Sequence, residues 1–183
     1  MPETTPHEIT PHETTPSQPL PDAIDLADLA DLSDPVAAVV AVELTSSFVR
    51  LCLCQTEPMV ARLACNEATL RKPGGLELEK RTLSKELFRL IDRTVFRQLS
   101  AAVPLSHAEF ALSRVETMLR EQFAEIAGTA ASYLLSDDRD TAIQMAAVAI
   151  TMAAREVRAQ VADVIAATRV QDESEDQDED EEV

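Results

Sequence analysis

"FAEIAGTAASYLLSDDRDT", residues 123–141, contains the end of one helix, a break and the start of the next. Phe123, Ile126, Ala130 and Tyr133 recur in three- and four-residue steps, which places them on one face of an α-helix. Traced backwards, the same seam takes in Gln122, Leu119, Val115 and Leu112. It begins after "SHAE" (106–109), where Ser106 and Glu109 have the spacing of a capping box. The polar "SDDRD" ends it, and Asp140 stands where it can cap a further helix beginning near Thr141. That helix has room to run, with a bend near Ala154, to about Val170. A helix of roughly 28 residues between two shorter neighbours carries an apolar stripe longer than they can cover. Antiparallel pairing of two such units across their long helices is the physical solution.

Upstream, "SKELFRLIDRTVFRQL" (84–99) sets Leu87, Leu90, Ile91, Val95 and Leu99 on one stripe and predicts a helix. Asp34-Pro35 is a helix start, with Asp as the cap and Pro at the first helical position. The helix it opens is expected to reach about Cys54, with a second over 58–70 stopped by "KPGG" (72–75). "DAIDLADLADL" (22–32) permits a short helix. Residues 1–21 repeat "TPHEI", "TPHET" and "TP", without hydrophobic periodicity, and are expected to form a disordered arm. With three glycines, no tryptophan and an excess of alanine and leucine, the chain reads as all-α.

The net charge of −17 is unevenly spread. Residues 1–34 hold eight acids and no Lys or Arg, and "QDESEDQDEDEEV" (171–183) holds nine acids and no base. Residues 35–170 hold sixteen of each sign. A neutral core therefore carries two acidic ends, the second expected to be a disordered tail, and net acidity does not by itself exclude DNA binding. Cys52, Cys54 and Cys65 read as reduced core cysteines. His7 and His12 recur with the repeat and read as arm residues, not metal ligands. "PVAAVVAVELTSSFVRLCLC" (35–54) is about as long as a membrane span, but Glu43 and Arg50 interrupt it, so it reads as a buried helix with no membrane partner. The N-terminus lacks the basic start and apolar centre of a secretory signal. No nucleophile–histidine–acid set, phosphate-binding glycine loop or ligand cluster is present, so neither catalysis nor a cofactor is expected.

The second half resembles histone 2B. In the stretch quoted first, Phe123, Ile126, Ala127, Gly128, Ala130, Arg139 and Thr141 stand where that family carries the same residues. No gap is needed from there to "ATRV" (167–170), on the family's C-terminal helix. "KELFRLIDRTVFRQL" (85–99) is similar to its first helix, with Lys85, Glu86, Val95, Arg97 and Gln98 matching in identity or charge. One extra residue is needed near 106–110. The resemblance covers about 84–170, roughly half the chain. "PVAAVVAVELT" (35–45) is similar to the start of the central helix of histone 2A. Residues 22–75 then become a truncated histone 2A-like half of a degenerate 2A–2B doublet, as known from large DNA viruses.

The resemblance implies a histone fold: a short helix, a long central helix, a short helix and a C-terminal helix. It implies pairing with a histone 2A-like partner, or an internal pseudo-partner, through Leu112, Val115, Leu119, Phe123, Ile126 and Tyr133. It implies contact with double-stranded DNA, Arg139 entering the minor groove held by Thr141, and association with other histones in chromatin, in the nucleus or a virion. Arg89, Arg93 and Arg97, four residues apart, suit a phosphate-facing stripe or a solvated face balanced by Glu86 and Asp92. Two departures weaken the match at the loop. The family's lysine beside the arginine is Asp138, and its serine is Asp140. Arg139 is thus either a DNA contact or part of a capping turn. The functions that follow are a structural chromatin protein in nucleosome-like particles, a histone-fold dimerisation subunit without DNA wrapping, or an acidic histone-binding chaperone-like protein.

Overall fold

The computed structural model describes residues 35–179, with side chains described over 35–170. All of its regular structure is helical: α1 (Pro35–Cys65), α2 (Glu67–Leu70), α3 (Gly75–Leu90), α4 (Thr94–Ala102), a 3-10 turn (Leu105–His107), α5 (Ala108–Ser136) and α6 (Arg139–Glu179). The 1–21 arm and the 22–32 segment lie outside the described residues.

Helix α1 runs straight through Pro58, where the sequence reading divides it after Cys54. An interior proline costs a helix about 3 kcal/mol. Burial on both sides offsets this: Leu44, Phe48 and Cys52 before it, and Met59, Val60 and Leu63 after it, all face the core. By length and composition α1 could cross a bilayer, but here those side chains sit inside the bundle. The thiol of Cys52 is pushed up to about 12 by burial, which leaves it unreactive. Cys54 and Cys65 are exposed, which corrects their reading as core residues.

The "KPGG" turn needs both glycines. Gly74 has φ of +76°, a left-handed backbone, and a Cβ on Gly75 would lie 1.8 Å from the Thr69 carbonyl oxygen. Helix α3 then starts nine residues before Ser84, the expected start. It ends at Ile91, whose backbone turns extended. The Asp92 carboxylate accepts the Thr94 N–H at 2.9 Å and restarts the chain as α4. The expected single helix over 84–99 is therefore two helices meeting at a corner.

The hairpin of α5 and α6 is the longest unit. Its connection is only residues 137–138. Asp138, not Asp140, caps α6, its Oδ1 accepting the Thr141 N–H at 2.8 Å. Beyond it Ala142, Ala146, Ile150, Ala153, Val157, Val161 and Ile165 are buried without interruption. That unbroken stripe explains why α6 has no break at Ala154. The resemblance calls for a short third helix and a separate C-terminal one; a single helix of 41 residues occupies both places. Its backbone is helical to Glu179.

Helices α1, α3, α4, α5 and α6 supply nearly all of the core. Helix α6 packs along both α5 and α1, and α3 lies along α5. Helices α1 and α5 meet at Phe48 and Phe123, both fully buried, with ring centroids 5.0 Å apart and planes tilted by 33°. Each phenylalanine lies near the middle of its helix. On the other side of α5, Gly128 admits the Lys80 stem, whose Cδ and Cε would lie 3.2 Å from an added Cβ. The Lys80 ammonium reaches Glu125 at 3.1 Å and Glu77 at 3.5 Å. A mid-helix glycine costing about 1 kcal/mol against alanine therefore accommodates a lysine stem.

The expected dimer seam is an interior surface of this one chain. Val115, Leu119, Phe123 and Ile126 are buried, and Leu112 and Tyr133 are half-buried against the same core. Leu119→Asp should therefore unfold the chain rather than dissociate a dimer, because it buries an unpaired charge. Phe123→Ala should destabilise it by about 3–5 kcal/mol through the cavity it leaves. Denaturant melts followed by circular dichroism, with light scattering at each step, check both; a folded Leu119→Asp monomer would contradict the interior placement.

Candidate nucleic-acid interface

Helices α3 and α4, with the cap residue Arg93 between them, carry Arg81, Lys85, Arg89, Arg93 and Arg97, one cation at every fourth residue, and all five are exposed. Four residues advance a helix by about 6 Å and about 40° around its axis, so Arg81, Lys85 and Arg89 form a slanting row. The extended backbone at Ile91 breaks the helix there, and Arg93, the cap residue of α4, and Arg97 within it follow at the same four-residue step in the sequence. None of the five makes an ion pair among the described residues, whereas Arg62 pairs with Glu86, Arg71 with Glu67, and Arg120 with Glu116. The pairing of Glu86 with Arg62 matters, since Glu86 is one of the two acids that the sequence sets against the row. A run of like charges without partners repels itself and gains from an external polyanion.

Arg81 and Lys85 escaped the sequence reading. The signal was available: the four-residue step of Arg89, Arg93 and Arg97 extends two places upstream. Arg81 fell outside because the helix was expected to start at 84, while it starts at Gly75; Lys85 lay inside the expected helix and was matched there only as a family residue.

Asp92 is the one carboxylate set within the row. The Thr94 backbone N–H, then its hydroxyl, and the charges of Arg50 and Arg97 hold it below the ordinary carboxylate range. It stays ionised and subtracts from the field of the neighbouring arginines.

The hairpin loop is organised differently. Arg139 is the first residue of α6, exposed, and without an ion pair among the described residues. Asp137, Asp138 and Asp140 surround it and are exposed too. Thr141 uses its backbone N–H to close the Asp138 cap, and no hydrogen bond links it to Arg139 among the described residues. The cap holds Asp138 below the usual carboxylate range, chiefly through that Thr141 N–H. The α6 dipole opposes a cation at its first residue.

The loop also lies away from the row. Ser84 donates to the Arg120 carbonyl at 2.6 Å and Lys80 reaches Glu125, so α3 runs antiparallel to α5. Arg89, Arg93 and Arg97 follow Ser84, towards the start of α5, whereas Arg139 follows its end. From Arg120 to Ser136 is sixteen residues, about 24 Å of helix. The sequence-chosen cations thus divide into an α3–α4 ridge and a separate acidic loop.

Elsewhere, a groove of about 310 Å³ between α5 and α6 is lined by Gln122, Glu125, Ile126, Thr129, Met152 and Glu156 among others. No group of three or more metal-ligating side chains occurs among the described residues. No protein-family model, curated protein or solved structure matches the chain.

Two outcomes follow from the capping carboxylates. Asp92→Asn keeps an acceptor for Thr94 but removes the charge beside Arg50 and Arg97, so it should raise affinity for duplex DNA about two- to ten-fold at low salt, by one more net positive contact; gel shifts across salt concentrations read this. Asp138 has a lowered folded pKa, so its cap stabilises above the unfolded carboxylate pKa and is lost as pH falls through the folded value. Asp138→Ala should lower the melting temperature at pH 7, and the difference from the parent should vanish in strong acid.

Proposed function

We propose that the chain is a structural, non-catalytic DNA-binding protein, a histone 2A–2B pair fused and reduced into one chain, which grips duplex DNA by its phosphates. The observation that carries the DNA reading is the α3–α4 ridge: five exposed cations in regular succession, none in an ion pair among the described residues, in a chain of net charge −17. Phosphate contacts by such a row are indifferent to base sequence and weaken steeply with salt.

The histone relationship draws support from the packing. Two long helices meet near their midpoints at Phe48 and Phe123, and α6, from the second half, packs along both of them. Cover for the middle of the α5 stripe thus comes from a long helix of the first half, which is what a pairing of two long-helix units inside one chain would need. In this reading α1 is the internal pseudo-partner, so no separate histone 2A-like chain is needed to cover α5. Association with other histones and a place in chromatin, nuclear or virion-borne, belong to the same proposal.

A second reading, a histone-like interaction subunit that does not wrap DNA, is favoured by one observation. The loop that carries the family's minor-groove arginine is here a capping turn with three carboxylates around Arg139.

Salt-titrated binding to a 30-base-pair duplex separates the two. Arg93→Gln with Arg97→Gln should weaken binding and reduce the slope of log affinity against log salt by about 1.8, at about 0.9 per phosphate contact. Arg139→Ala should leave that slope unchanged. A slope reduced by about one in Arg139→Ala would return the loop to the DNA surface. An absence of salt-dependent binding even with the acidic C-terminal segment neutralised would leave the second reading.

A further inference from the structure

We infer that residues 171–183 act as an internal counter-polyanion for the α3–α4 ridge, so that DNA gains the ridge by displacing the chain's own carboxylates. The inference rests on the ridge being the DNA surface and adds how access to it is set.

The starting point of the segment is fixed. Arg169 donates from Nε and Nη2 to the Ala102 carbonyl, at 3.1 and 3.0 Å. Ala102 is the last residue of α4, five residues after Arg97, about 7.5 Å of helix. The chain beyond Val170 therefore departs beside the end of the ridge. Within the next twelve residues come Asp172, Glu173, Glu175, Asp176, Asp178, Glu179, Asp180, Glu181 and Glu182, without a base.

Reach and charge both suit the ridge. From Ala102 back along α4 and α3 to Arg81 is about 30 Å, counting 1.5 Å per helical residue and the corner. Thirteen extended residues span about 43–47 Å. Nine carboxylates face five cations that have no partner of their own among the described residues.

The helical path to Glu179 opposes its own charges. Asp172 with Asp176, and Glu175 with Glu179, are like charges four residues apart, a spacing that destabilises a helix. Carboxylates at a helix C-terminus also meet the negative end of the dipole. Leaving the helix for the ridge removes both penalties and replaces repulsion with attraction. The contact is exposed and so screened by salt.

The test keeps the full chain and replaces the nine acids by Asn or Gln. Affinity for a 30-base-pair duplex, read by fluorescence anisotropy, should rise about ten-fold or more near 50 mM salt and by less than about two-fold near 0.5 M. In the Arg93→Gln, Arg97→Gln background the gain should shrink. Neutralising the eight acids of 1–34 is the control for net charge alone; an equal gain there overturns the inference. Nitrogen–proton spectra without DNA supply a separate reading. Ridge signals from Arg81 to Arg97 should differ between parent and neutral-tail chains at low salt and coincide at high salt. Unchanged ridge signals sink the inference even if DNA binds. Changed signals with no DNA binding in either chain keep the internal contact and remove the DNA reading.

Discussion

The structure depends on the burial of one overlong apolar stripe. Helix α5 presents Ala111, Val115, Leu119, Phe123, Ile126, Ala127 and Ala130 to the interior, and no short helix could cover all of them. The crossing with α1 at Phe48 and Phe123 covers the middle. Helix α6, returning antiparallel after a two-residue turn, covers the length. Small residues make this possible: Ala142, Ala146, Ala153 and Ala162 on α6 let the two helix backbones approach closely along the hairpin. The long α6 stripe then buries α1 as well, which is how an interior proline is carried without a break.

Once the interior is closed in this way, charge is sorted onto the outside. The core segment is balanced in number, but its pairs are unevenly distributed. Acids near α1, α2 and α5 find cations within the bundle, as in the pairs of Arg62, Arg71, Lys80 and Arg120. The outer faces of α3 and α4 are left with five cations and one carboxylate, Asp92, that is held ionised. Single exposed ion pairs contribute little to stability. Their pattern still decides which face retains a net field, and therefore where a polyanion can settle.

Much of the architecture was legible from residue spacing. The α5 seam, its stop at "SDDRD" and the turn at "KPGG" were each readable because periodicity and breaker residues act locally. Errors arose where tertiary burial overrode a local signal. Pro58 should end a helix and does not, because Met59, Val60 and Leu63 reach the core beyond it. Ile91 fits a helical stripe, yet Asp92 captures the Thr94 N–H and breaks the helix there. The cap of α6 was misplaced by two residues, since Asp138 and Asp140 have the same chemistry and only the backbone path selects between them. At the candidate site, Arg89, Arg93 and Arg97 were found by spacing, while Arg81 was lost with the misplaced start of α3.

Composition and spacing alone determined that the chain is helical, that a long apolar seam centres on Phe123, and that a balanced core carries two acidic ends. These are properties of neighbours in sequence, and a 3.6-residue period exposes them. Two things were left to the tertiary structure. One was that the seam is buried within a single chain, which depends on α1 and α6 reaching it from 75 residues before Phe123 and from beyond the turn. The other was that Arg139 and the cations from Arg89 to Arg97 lie towards opposite ends of α5. That separation follows from the antiparallel register of α3 against α5, set by the contacts of Ser84 and Lys80 across the helix pair, and no local pattern in the sequence encodes such a register.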